Sequence, residues 1–150
     1  MCGIAKDNRT IPRGTPGALL SGACNLVSHT LLAAMPNVRE YQTSDGMSPF
    51  SKWFFRLEAH AAAKVRRKIL KLESGLRSDT KAVGEGVFEA RIDYGPGYRI
   101  YFGLDGITLI ILLGGGSKKG QQDDIDHAHR AWADYKSSKT QRIDDHGTYP

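Results

Sequence analysis

The segment from Gly86 to Leu113 constrains the fold more than any other part of the chain, because it predicts three consecutive β-strands. In the first, apolar and polar residues alternate, as they do along a strand with one buried face. The second, Tyr98 to Phe102, repeats this alternation, and residues 108–113 form an unbroken apolar run typical of a central strand covered on both faces. Gly95-Pro96-Gly97 and Asp105-Gly106 supply the turns. These features predict an antiparallel sheet.

The first predicted hairpin brings two arginines and a tyrosine onto one face of this sheet. If residues 95–97 form a three-residue loop, Asp93 lies opposite Arg99 and Arg91 lies opposite Tyr101. Both arginines then share the polar side of their strands, so the sequence predicts a positively charged patch there.

Two helices are predicted ahead of the sheet. Ser48 is the expected N-cap of the first helix, with Pro49 at its first position. The aromatic and aliphatic residues of this helix recur every three or four positions, which favours a core stripe over a platform for stacking bases; they are Phe50, Trp53, Phe54 and Leu57. The second helix runs from Ala59 to Glu73, and Gly75 is the expected left-handed residue that ends it.

The second helix carries a row of cations opposite its apolar stripe of Val65, Ile69 and Leu72. These cations recur with the helical period and are Lys64, Arg67, Lys68 and Lys71. Such a row is as often a solvated face as a functional one. The alternative is a surface that follows phosphates, since cations release counterions when they bind RNA or DNA.

A glycine-rich segment with two lysines, Gly114 to Gly120, follows the last strand. It is either a flexible connection or a site where backbone amides approach a phosphate beside Lys118 and Lys119. It is not a nucleotide-binding Walker loop, because the serine precedes the lysines. A third helix is predicted from Gln122 to about Lys136, with an apolar side made of Ile125, Ala128, Trp132 and Tyr135. The spacing of its aspartates and histidines gives no support for a metal site.

Composition is consistent with one small domain, because 150 residues of which 40% are hydrophobic can bury a single core. The formal net charge of +5 is consistent with a polyanionic partner. Residues 1–34 are too polar and too broken for a membrane span. We expect them to be either a poorly ordered extension outside the domain or residues upstream of a translation start at Met35. The domain itself is expected over residues 35–140, followed by a flexible tail over residues 141–150.

The hairpin sequence identifies a family resemblance. Gly86-Val-Phe-Glu-x-Arg-Ile-Asp-Tyr-Gly-Pro-Gly-Tyr-Arg-Ile-Tyr-Phe102, followed by Gly114-Gly-Gly-Ser-Lys-Lys119 and Gln122-Asp-Asp-Ile125, resembles the RelE/HigB-type toxins of bacterial type II toxin–antitoxin modules. The chain is most similar to the addiction-module killer group, over about Met35 to Lys139. The resemblance implies an α+β fold in the order β-α-α-β-β-β-α, with about four strands, two N-terminal helices, one C-terminal helix, and the first strand beside the last.

The same resemblance implies a cytoplasmic mRNA endonuclease that acts on free or ribosome-bound mRNA without metal or cofactor. In such a reaction the ribose 2′-hydroxyl attacks the adjacent phosphate, and guanidinium groups stabilise the charge that develops. The implied catalytic residues are Arg91, Arg99, Tyr101, Lys118 and Lys119. The general acid and base stay open among Glu89, Asp93, Tyr101 and a lysine, and Glu89 departs from the basic residue that some RelE toxins carry.

The implied partners are mRNA, bound along Lys64, Arg67, Lys68 and Lys71, and a cognate antitoxin, expected to be a small helix-turn-helix DNA-binding protein that covers the arginine patch or the basic helix. No membrane partner is expected. Two alternatives stay open: a ParE-like poison of DNA gyrase, which shares the fold but binds protein, and an inactive remnant that only binds its partner.

Overall fold

The computed structural model describes residues 36–146, with side chains up to residue 143. Our predictions for residues 1–35 and 147–150 lie outside this part of the chain. The described elements are strand β1 (Asn37–Glu40), helix α1 (Pro49–Phe54), helix α2 (Ala59–Glu73), strands β2 (Thr80–Gly84), β3 (Val87–Ile92), β4 (Tyr98–Asp105) and β5 (Leu109–Ser117), a 3-10 turn (Lys118–Gly120) and helix α3 (Gln121–His146). None of the described helices is long and apolar enough to cross a membrane.

The five strands form one sheet in the order β1-β5-β4-β3-β2, in which β1 runs parallel to β5 and the other pairs are antiparallel. The α+β class and the pairing of the first strand with the last are confirmed. The middle strand is β4, and β5 is an interior strand between β1 and β4 whose residues 110–113 are buried on both faces, as the unbroken apolar run predicts. The prediction of four strands was wrong because β2 was missed. This edge strand has three exposed residues out of five, so it lacks the alternation that marks a half-buried strand.

Helices α1 and α2 begin at the predicted residues. Ser48 Oγ accepts a hydrogen bond from the Ser51 amide at 3.1 Å, which caps α1. Helix α2 spans the predicted residues, and Gly75 follows it with a φ of +79°. Helix α3 starts one residue early and continues ten residues past the predicted end near Lys136.

The sheet separates two apolar cores. On the side of α1 and α2, Phe50, Val65 and Leu72 pack against β3, β4 and β5, and the predicted stripes of both helices are confirmed. On the other side, Ala128 and Trp132 of α3 pack against the sheet. Each large apolar side chain buried in this way contributes about 1.5–3 kcal/mol. The two layers of helix therefore fix both faces of the sheet.

The hairpin between β3 and β4 differs from the prediction in its register. Arg91 pairs with Arg99, and Glu89 pairs with Tyr101. The loop holds five residues because the Gly97 amide donates to the Tyr94 carbonyl at 3.1 Å, which closes a turn inside it. A shift of two residues leaves every side chain on its predicted face. The arginines are thus on one face, as predicted, but directly opposite each other.

Candidate nucleic-acid interface

A cavity of about 200 Å³ opens at the hairpin end of the sheet. Its polar walls come from Arg91, Asp93, Tyr98, Arg99 and Lys118. The first four belong to β3, β4 and their loop, and Lys118 opens the 3-10 turn that follows β5. Three cations therefore meet around a space that could hold one phosphate. We call this space the hairpin cavity.

The Lys118 side of the hairpin cavity is fixed by its backbone. The Lys118 amide donates to the Gly97 carbonyl at 3.0 Å, which ties the end of β5 to the hairpin loop. Gly114 to Ser117 belong to β5 and are paired with β4. A flexible connection, one of the two interpretations of this segment, is therefore wrong over its first four residues, because their backbone is paired within the sheet.

Arg99 is held by a buried carboxylate that the sequence prediction did not assign to it. Its Nε lies 3.1 Å from Glu89 Oε1, and only 2% of the Glu89 side chain is exposed. The Nε–H is not aligned as a hydrogen bond to that oxygen, so the contact is an ion pair. Glu89 also accepts a hydrogen bond from Gln121 at 2.8 Å, and Arg99 Nη1 donates to the Gly97 carbonyl at 3.4 Å. Glu89 is thus the counter-charge that orients the guanidinium.

Tyr101 lies beneath the sheet surface rather than in the hairpin cavity. Its side chain is fully buried in the core on the α3 side. Its hydroxyl has no hydrogen-bond partner among the described residues. Burial raises the pKa of this hydroxyl well above its ordinary value, and the nearby charges of Glu89 and Asp124 raise it further. In this arrangement the hydroxyl reaches no ligand from solvent. Lys119 is exposed and does not line the hairpin cavity.

The cations of α2 divide into an exposed set and one buried member. Lys64, Arg67 and Lys71 are exposed. Lys68 is only 7% exposed, so its placement on a solvated face was wrong. Its Nζ donates to the Ser78 carbonyl at 2.7 Å, which ties α2 to the segment before β2.

The exposed cations of α2 reach the arginines through a second cavity of about 240 Å³, which Arg91 also lines. Arg91 and Asp93 border both cavities, so a row of exposed cations extends from α2 to the end of β5 with one exposed carboxylate, Asp93, within it. We call this the basic surface, formed by Lys64, Arg67, Lys71, Arg91 and Lys118. Between residues 36 and 143, no group of three or more His, Cys, Asp or Glu side chains is arranged to hold a metal ion.

Comparison with known proteins gives one relative with a closely similar sequence. No family model matches the chain. An uncharacterized protein of Haemophilus influenzae is 42% identical over 80 residues, which is 53% of this chain and 81% of that protein. The chain belongs to the same family as this protein. The relative supplies no activity, so the functional argument depends on the residues of the chain itself.

Among solved structures, a free-state double mutant of the E. coli toxin RelE superposes with a TM-score of 0.46 and 9% sequence identity. The match covers 61% of this chain and 96% of that one. A likeness at this level shows by itself neither a shared fold nor a shared function.

Proposed function

We propose that this chain is the toxin of a type II toxin–antitoxin module, and that it cleaves mRNA in the cytoplasm at the hairpin cavity. The observation that carries the proposal is the meeting of Arg91, Arg99 and Lys118 around one cavity. The sequence resemblance to RelE/HigB-type toxins supports it. A cavity with three cations suits the dianionic phosphorane that forms when a ribose 2′-hydroxyl attacks the adjacent phosphate.

The cavity offers each group that the reaction requires. Arg99, oriented by Glu89, and the exposed Arg91 would bind the phosphate oxygens, since guanidinium stays protonated and can contact two oxygens at once. Asp93 is exposed, lines the cavity and would accept the proton of the 2′-hydroxyl. Lys118 would protonate the leaving 5′-oxygen, because its ammonium has a proton to give where a guanidinium does not. Burial argues against Glu89 and Tyr101 for these proton transfers.

Growth inhibition on induction in a bacterial host tests this assignment. Removal of one preorganised charged donor costs roughly 100-fold to 1000-fold in rate. We therefore expect Arg91→Ala and Lys118→Ala to fold like the wild type and to lose the growth arrest. Lys119→Ala is the matched control, because the neighbouring lysine is exposed and lies outside the cavity, and it should arrest growth as the wild type does. Equal arrest by all three variants would contradict the assignment.

The rest of the basic surface would hold the RNA strand on either side of the cleaved bond. Replacement of Lys64, Arg67 and Lys71 by alanine should weaken the binding of single-stranded RNA. The slope of the logarithm of the affinity against the logarithm of the salt concentration should fall in magnitude by about 0.7 for each phosphate that is no longer neutralised. Lys68 is left unchanged in this variant because it is buried. Filter binding at several salt concentrations measures the slope, and an unchanged slope would remove α2 from the interface. A cognate antitoxin would neutralise the toxin by covering this surface.

A second candidate function is partner binding without cleavage. It is favoured by the Glu89–Arg99 ion pair, which engages the guanidinium that the nuclease would need. This alternative predicts that Arg91→Ala and Lys118→Ala leave any growth phenotype unchanged, so the same experiment separates the two.

A further inference from the structure

The edge of β5 that faces β1 is paired along only half of its length. Pairing with β1 ends at Glu40 opposite Leu112, and the Tyr41 amide makes the last contact, to the Leu112 carbonyl at 2.9 Å. Beyond it, β5 continues to Ser117. Among the described strands it is paired there with β4 alone, and a register shift leaves Leu113 without a partner in β4. Successive peptide groups of a strand point to opposite sides. Alternate N–H and C=O groups from Leu113 to Ser117 are therefore turned away from β4, and no described residue bonds to them.

This open edge lies at the floor of a cavity of about 1000 Å³. One wall is α1 with the turn that follows it, and it includes Lys52, Trp53 and Arg56; the other is α3, with Ala128 and Ala131. We call the first the α1 wall. Proteins usually protect such an edge with charges, proline or a covering segment. Here three successive glycines, residues 114–116, carry no side chains along the edge. The Trp53 ring packs on Gly115 and the Asp124 carboxylate packs on Gly116, so the backbone faces the cavity at its edge and is covered on its faces.

The two walls differ in their unbalanced charge. Lys52 and Arg56 are exposed and have no ion-pair partner within residues 36–143. The opposite wall has two carboxylates, Asp124 and Asp134, and one exposed cation, Arg130. Asp134 accepts a hydrogen bond from the Tyr41 hydroxyl at 2.5 Å, so unlike the α1 wall this wall carries charges of both signs. The α1 wall therefore favours a negatively charged occupant, and the ring of Trp53 gives that occupant an apolar surface.

We propose that residues Leu113–Ser117 accept an extended, acidic segment of a partner protein as a sixth strand of the sheet. The segment would lie beside β5 in the position where pairing with β1 has ended, beyond Tyr41. It would form main-chain hydrogen bonds with the edge of β5 that no described residue occupies. Five residues of β5 span about 17 Å, enough for a strand of four or five residues. Side chains on one side of that strand would meet Lys52 and Arg56, and those on the other would meet the small alanines of α3. The inference does not depend on cleavage of RNA.

The test uses a fluorescent ten-residue peptide of alternating Glu and Val with the full chain, read by anisotropy. We expect saturable binding, and about tenfold weaker binding to the double variant Lys52→Glu/Arg56→Glu, since two exposed ion pairs become repulsions. That variant should instead gain affinity for the matching peptide of alternating Lys and Val. A Glu-Val peptide with alternate N-methylated residues should not bind, because it cannot complete the ladder.

The matched control is Lys64→Ala/Lys71→Ala, which removes two cations of the basic surface and should bind the Glu-Val peptide as the wild type does. Binding that is abolished in this control, or that survives N-methylation, would overturn the proposal, because the peptide would then be held by charge elsewhere. Sedimentation that shows dimers which the peptide does not dissociate would also overturn it, since a second copy of the chain would be the occupant.

Discussion

Loss of one member of the buried ion pair between Glu89 and Arg99 should be among the most destabilising single changes in this domain. Their side chains are 2% and 10% exposed, with 3.1 Å between the charged atoms. Removal of one member leaves a charge in the interior without a partner, which costs about 3–5 kcal/mol. Total stabilities are about 5–15 kcal/mol. We therefore expect Arg99→Ala and Glu89→Ala each to lose a large share of the free energy of unfolding.

Thermal unfolding followed by circular dichroism measures this effect. At about 4 °C per kcal/mol for a domain of this size, either single variant should melt roughly 12 °C or more below the wild type. The double variant Glu89→Leu/Arg99→Met should melt much closer to the wild type, since apolar residues of similar volume can replace a buried ion pair at little loss. Lys139→Ala is the control, because the Lys139 side chain is 51% exposed and its ion pair should contribute less than about 1 kcal/mol.

A melting temperature for Arg99→Ala within about 3 °C of the wild type would refute this reasoning. It would mean that Glu89 finds solvent or another donor once the guanidinium is removed. The expected loss of stability also explains why Arg91 and Lys118, which are exposed, are better positions than Arg99 for tests of chemistry.

Two further predictions concern packing and pH. A Cβ at Gly103 would lie 2.5 Å from the Trp132 ring, so Gly103→Ala should lower the free energy of unfolding, measured in urea, by about 1–3 kcal/mol. Gly114→Ala is the control, because its Cβ would meet no atom within 4 Å. Equal losses of stability in both variants would contradict the packing argument. The Lys139 ammonium and a tyrosine hydroxyl hold the pKa of Asp105 below its ordinary value of 3.8. A carboxylate whose pKa is lower in the folded state stabilises the fold at pH values above its ordinary pKa, and this stabilisation is lost as the pH falls through the folded pKa. Asp105→Asn should therefore melt below the wild type at about pH 7. A difference in melting temperature that persists at about pH 2 would contradict the role of this carboxylate.

The sequence predicted most of the fold because the buried elements have clear periods. The apolar stripes of α1 and α2 recur at helical spacing, so the buried faces of these helices followed directly. The alternation along β3 and β4 gave the two faces of each strand, although β4 is buried on both faces from Arg99 to Gly103. The strand β2 was missed because an edge strand with mostly exposed residues needs no such alternation. The extension of β5 through Gly114–Ser117 was missed because glycines carry no pattern, and their pairing with β4 is a tertiary effect.

For the candidate site, the sequence predicted which side chains share a face of the sheet. Arg91 and Arg99 share a face in any register that keeps the parity of the hairpin, and the structure brings Lys118 beside them. The sequence did not predict how deeply each of these side chains is buried. Tyr101 and Glu89 lie on that face too, but α3 covers them, and no local sequence pattern shows which part of a strand face a distant helix will bury.

The measurement that tests the central claim most directly is the mapping of RNA 5′ ends in cells within minutes of induction. Wild type, Arg91→Ala, Lys118→Ala and Lys119→Ala are compared at equal protein levels. We predict new 5′ ends within mRNA for the wild type and for Lys119→Ala, and none for the other two variants. The same new ends in all four strains, or none in the wild type while it still arrests growth, would contradict cleavage of mRNA at the hairpin cavity.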